Sequence, residues 1–155
     1  MSWTALTQSD IENRLTDGEM VAVTTAAVKT GQTAAAIIAA AIASTTGEIR
    51  GYVAASSKNI LGEAGTIPGE LEGAALAMIR RYLYTRLPGT SKLLDENRRK
   101  ETEDAINLLR DVAAGKFAIV APTTAAPEAQ QASGPGVEVV SSTDRNRKPS
   151  QTAGL

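Results

Sequence analysis

Ile67-Pro68-Gly69-Glu70-Leu71-Glu72-Gly73-Ala74-Ala75-Leu76-Ala77-Met78-Ile79-Arg80-Arg81-Tyr82-Leu83-Tyr84-Thr85-Arg86-Leu87-Pro88-Gly89 is the stretch on which the fold turns. Four independent signals in it agree on a helix. Pro68 suits a first helical turn, and Glu70 and Glu72 lie where the helix dipole favours negative charge. Leu71, Ala75, Met78 and Tyr82 recur at helical spacing, and Pro88-Gly89 supplies a stop. Met78, Tyr82 and Leu83 are expected to face a core, which leaves Arg80, Arg81 and Tyr84 partly outward.

Downstream, a further helix is expected from Ser91 or Leu93 to Ala114, ended by Gly115. Its first half, Asp95 to Asp104, is almost wholly charged, whereas Ala105, Ile106, Leu109 and Val112 give its second half an apolar face. Only that second half is expected to pack. Upstream, Ile38, Ile42, Ile49 and Val53 define one face of a helix from about Thr33 to Ala55, with a kink or break at Thr45-Thr46-Gly47. A short helix capped by Thr7 or Ser9 carries Ile11 and Leu15 and ends at Asp17-Gly18. Residues 19–32 fit a strand by their β-branched content and a helix by the spacing of Met20, Val23 and Ala27. Residues 56–66, with Gly62 and Gly65, read as a loop.

The pattern therefore specifies an all-α fold, a small bundle of about four helices over residues 1–115, followed by an extended arm over 116–155. From Ala121 onward the only large aliphatic residues are Val137, Val139, Val140 and Leu155, too few for a core of their own. Two short strands are candidates in the arm: one spans 116–120, with Phe117 and Ile119 on one face, and the other is Val137-Glu138-Val139-Val140. Either would add to a partner's sheet edge, or the first would cover its own domain.

Composition narrows the chemistry. The chain has 155 residues, 17 acidic and 16 basic, with neither Cys nor His. Disulfides, thiol or imidazole catalysis and the usual zinc sites are excluded on residue types alone. The 27 Ala residues bury little area each and only five side chains are aromatic, so the core of a single subunit is thin. The N-terminus shows neither the basic start nor the apolar run of a signal peptide, and the apolar run Ala34–Ala43 is far short of the roughly 20 residues that span a bilayer. No membrane association is expected.

The candidate sites are weak as chemistry. Glu70 and Glu72 lie on different sides of a helix. The acids between Asp95 and Asp104 interleave with Arg98, Arg99 and Lys100 as surface pairs do. Gly62-Glu63-Ala64-Gly65 lacks the Lys and hydroxyl of a phosphate loop, and Ser56-Ser57-Lys58 lacks an orienting third group. No enzyme activity and no cofactor are expected. The suggestive cluster is Arg80, Arg81, Tyr84 and Arg86, because Arg and aromatic side chains anchor protein interfaces and Arg also contacts phosphates. With Phe117, Ile119, Val137, Val139 and Val140, these residues are the expected subunit or partner interface.

The order of features resembles a known family. Leu-Thr-Gln-Ser-Asp-Ile (6–11), Glu-Ile-Arg-Gly-Tyr-Val (48–53), Ile-Pro-Gly-Glu-Leu (67–71), Ile-Arg-Arg-Tyr-Leu-Tyr-Thr-Arg-Leu (79–87) and Ala-Ile-Asn-Leu-Leu-Arg-Asp-Val-Ala-Ala-Gly-Lys-Phe (105–117) are similar to the Mu-like tailed-phage proteins of the head-tail joining class. That resemblance implies a structural connector of the virion, assembled in the host cytoplasm as a ring of about twelve copies. Its implied partners are further copies of itself, the portal protein and the next neck or tail-completion protein, with DNA sliding through the channel without sequence-specific binding. The competing reading is a cytoplasmic helical interaction module or a nucleic-acid-associated regulator, using Arg80, Arg81, Arg86 and residues 144–148. Such a regulator would bind with a steep salt dependence.

Overall fold

A computed structural model describes residues 3–124. Five α-helices and a two-stranded antiparallel sheet make up the described chain: β1 (Trp3–Ala5), α1 (Gln8–Glu12), α2 (Asp17–Lys29), α3 (Ala34–Ala55), β2 (Thr66–Pro68), α4 (Glu72–Arg86) and α5 (Glu96–Ala113). The fold is mostly helical, as the sequence pattern specifies, with α3, α4 and α5 packed on one another and α1 and α2 laid against α3.

Local chemistry sets the helix starts. Thr7 caps α1 and Thr16 caps α2, each in a reciprocal box in which the residue three positions on, Asp10 or Glu19, returns a carboxylate to the cap's backbone N–H. Thr33 caps α3 and Asp95 caps α5. The ambiguity over residues 19–32 resolves as helix, because the Thr16 box nucleates it and Val23, Ala26 and Ala27 fall on one buried face. Asp17-Gly18 therefore opens a helix and does not merely end α1.

Three other expectations are corrected. Helix α3 runs unbroken through Thr45-Thr46-Gly47: both threonines point into the protein, where β-branched side chains pack well, and Gly47 falls on the exposed side. Pro68 does not begin α4. It ends β2, pairing with Trp3, and a single 3-10 turn at Gly69–Leu71 intervenes before α4. The charged half of α5 also packs, since Thr102 is buried and Arg98 reaches into the protein. The stops at Gly89 and Gly115 are as expected, both with φ in the left-handed region that glycine adopts freely. Buried Thr90 reinforces the first stop by donating its hydroxyl to the carbonyls of Tyr84 (3.1 Å) and Leu87 (2.7 Å).

The core has two clusters. One joins Ile11, Leu15, Val23, Ile38, Leu83 and Tyr84; the other joins Ile49, Val53, Ile67, Leu71, Leu109 and Val112. Helices α3 and α4 contribute to both and so bind them together. Phe117 and Ile119 are half-buried against the second cluster, so residues 117–119 cover their own domain. No strand forms at 116–120; the observed strands are β1 and β2. Among the described residues, no single helix is long and apolar enough to cross a membrane.

Trp3 fastens the two ends of the described chain. Its indole N–H donates to the Val120 carbonyl at 2.9 Å, and its ring lies over Gly62 so closely that a Cβ there would stand 2.6 Å from the ring. Beneath it, the Arg50 guanidinium donates to the carbonyls of Gly62, Glu63 and Thr66, fixing the loop that Trp3 covers. Gly62→Ala is therefore predicted to displace the indole and release Val120, at a cost of about 1 kcal/mol. Because Trp3 is the single tryptophan, a red-shifted emission together with a lower urea midpoint would confirm the displacement, and unchanged emission would refute it.

Candidate interaction surface and the buried carboxylate beneath it

The sequence groups Arg80, Arg81, Tyr84 and Arg86 together, but the structure divides them between two roles. Tyr84 is fully buried. Its position on α4 places it with Leu83 and Ile79 against α2, and its hydroxyl donates to Glu19 Oε1 at 2.5 Å. Tyr84 is thus a core residue of the folded subunit, a correction to its expected outward placement. The physical reason is that Glu19 brings a buried acceptor to a tyrosine that would otherwise keep its hydroxyl in water.

Arg80 follows Tyr84 inward. Only 13% of its side chain is exposed; Nη2 donates to the Arg14 carbonyl at 2.6 Å, while Nε lies 3.8 Å from Glu19 Oε1 and Nη1 lies 3.8 Å from Glu101 Oε2. Arg98 of α5 completes the group, donating to Glu19 Oε1 at 3.2 Å and to both oxygens of Glu101. Glu19 Oε2 meanwhile accepts the Thr16 backbone N–H at 2.7 Å. One carboxylate therefore closes the α2 cap and clasps α4 and α5.

The titration behaviour follows from these contacts. Burial pushes the Glu19 carboxyl upward, but the hydrogen bonds from Tyr84 and Thr16 and the charge of Arg80 outweigh it and leave Glu19 below the usual glutamate value. For Tyr84, burial and then the bond to anionic Glu19 push the phenol well above its ordinary 10.0. A depressed carboxyl contributes stability that is present above its unfolded value and lost as pH falls through the folded one. A raised phenol contributes stability that is present below pH 10.0 and lost as pH rises beyond it.

Arg81 and Arg86 remain at the surface. The Arg86 guanidinium stacks over the Tyr82 ring, 4.7 Å from its centroid. Arg81 stands between two grooves, one lined with Ser44, Glu48, Met78 and Tyr82, the other with Leu94, Arg99, Thr102 and Ile106. Neither arginine forms an ion pair among the described residues. Phe117 and Ile119 lie against their own domain, while Val137, Val139 and Val140 fall outside the described residues. Glu72, read as a dipole partner, also pairs with Arg14 at 3.1 Å and accepts the Thr4 hydroxyl. Among the described residues, no group of three acidic side chains is placed to share a metal ion.

Three predictions test the clasp. Glu19→Ala strands two arginines and a buried hydroxyl, and is predicted to cost about 3 kcal/mol in chemical denaturation; a loss below about 1 kcal/mol would contradict the clasp. Tyr84→Phe keeps the shape and removes one bond to a charged group, costing about 1.5 kcal/mol at neutral pH. The wild-type chain is predicted to lose stability above pH 10.0, and Tyr84→Phe to lose that alkaline limb, as followed by urea midpoints against pH.

Comparison with known proteins gives one match. The family model described as Bacteriophage Mu, Gp36 matches residues 6–138. No curated protein and no solved structure matches. The match covers most of the chain, including every helix described above, and so the chain belongs to the Bacteriophage Mu Gp36 family of phage proteins.

Proposed function

We propose that this phage protein is a structural head-tail connector, a helical subunit that assembles as an oligomeric ring between the portal and the neck or tail of the virion. The observation that carries this reading is the family match over residues 6–138. Several features of the subunit support it. Val21 and Val28 of α2 are 65% and 72% exposed, and the outward side of α3 carries Ala35, Ala36 and Ala40. Helices with such faces pack side by side at short distance, and burial between subunits would supplement the thin core of each. The ion-pair clasp keeps α2, α4 and α5 in fixed relation, as a load-transmitting ring requires. The role is mechanical, with no catalytic step.

Among the described residues, Arg81 and the Arg86–Tyr82 stack are the part of the expected interface that stays accessible, and they are assigned to contact with the portal or an adjacent subunit. Arg80 and Tyr84 act beneath them as supports. The near-neutral net charge of −1 suits a channel wall along which DNA must slide.

Combining Arg81→Glu with Arg86→Glu is predicted to weaken co-sedimentation with the portal protein by about tenfold or more, while the unfolding midpoint stays near wild type. Free duplex DNA, titrated at low and at physiological salt, is predicted to bind weakly at both. Tight binding that collapses with salt would instead identify a nucleic-acid regulator.

A further inference from the structure

A groove of about 520 Å³ runs along the middle of α3, walled by Leu6, Ile42 and Arg50 and floored by Ala39, Ala43 and Gly47. Its small residues recur once per helical turn, about 6 Å apart. Thr46 also lines it; Thr46 is 8% exposed, and its hydroxyl has no hydrogen-bond partner among the described residues. Arg50 is the one charged side chain lining the groove, and it forms no ion pair among the described residues. The groove is thus mostly apolar, with Gln8 at its edge, one unmet hydroxyl, and one cation that is bonded to loop carbonyls but faces no carboxylate.

We infer that this groove is the docking site of the chain's own C-terminal segment Val137-Glu138-Val139-Val140. Three observations select that occupant. The first is position. The described chain is held at Val120 by Trp3, whose ring covers Gly62; the Gly62 carbonyl is in turn bonded by Arg50, which lines the groove. Val120 is therefore joined to the groove wall at Arg50 through Trp3 and Gly62. Sixteen residues separate Val120 from Val137, enough to span roughly 50 Å when extended, more than the roughly 33 Å length of α3.

The second is fit. In an extended segment Val137 and Val139 lie on one side, about 6.7 Å apart, close to the spacing of the hollows at Ala39, Ala43 and Gly47. The segment carries one charge, the acid Glu138, opposite in sign to Arg50. The third is extent. The family match does not stop at the folded body but continues through the arm to residue 138. A short linker also gives the segment a local concentration on the order of millimolar at its own groove, so in a dilute isolated subunit its own arm outcompetes that of another copy.

This inference goes beyond the connector reading and does not rest on it. The chain has no cysteine, so a single engineered pair reports directly. Ala43→Cys with Val139→Cys, in the full chain at low micromolar concentration without portal protein, is compared under mild oxidation with Lys100→Cys and Val139→Cys. Lys100 is exposed on α5 and serves as the random-encounter reference. The Ala43 pair is predicted to close within one chain about tenfold faster or more, and Val137→Asp to slow that closure toward the reference. Equal rates for the two pairs would overturn the assignment, and so would covalent dimers as the main product, which would give the groove to a second copy. Because no portal is present, failure here is separate from failure of ring assembly.

Discussion

The mutual placement of α2, α4 and the first half of α5 centres on the Glu19 carboxylate. Helix α2 is held by a modest apolar face, and the first half of α5 has only Thr102 to bury. Glu19 links them by accepting the Thr16 amide on one oxygen and the Tyr84 hydroxyl and Arg98 guanidinium on the other. Such an arrangement is favourable only when nearly all its members are satisfied, because desolvating a carboxylate and two arginines is costly in itself. The Arg14 carbonyl accepts from Arg80 and Glu101 from Arg98, while the buried Arg80 Nε meets Glu19 only at ion-pair distance, without a hydrogen bond. The result is directional: unlike an apolar contact, it fixes the rotation of α5 about its axis as well as its distance.

Much of the helical layout is legible in the chain because it rests on local rules. The faces of α3 and α4, the stops at Gly89 and Gly115 and the solvated outer side of α5 all follow from periodicity and from turn chemistry. The clasp was partly visible: Thr16 and Glu19 stand three apart, as a capping box requires. Its other half was not, since nothing local says that Glu19 will meet Tyr84, 65 residues away, or Arg98, 79 residues away. Without that information Tyr84 and Arg80 look like surface anchors, and only Arg81 and Arg86 keep that position. The strand pairing of Trp3 with Pro68 was hidden for the same reason, since a three-residue strand has no periodicity to detect. Arg50 among loop carbonyls is equally invisible locally.

These features combine in a helical member of the Bacteriophage Mu Gp36 family. A rigid body is organised by α3 and α4, the arm is anchored at Trp3, and apolar and small-residue faces lie outward on α2 and α3. Arg81 and Arg86 stand on the surface of α4, one of the two helices shared by both core clusters.

The most direct measurement is the mass of the assembled particle, by native mass spectrometry of the full chain alone and with its portal protein. The connector account predicts a closed oligomer, formed by the chain itself or on the portal, with a fixed number of copies per complex. A chain that stays monomeric at high concentration and is unchanged by the portal would contradict it.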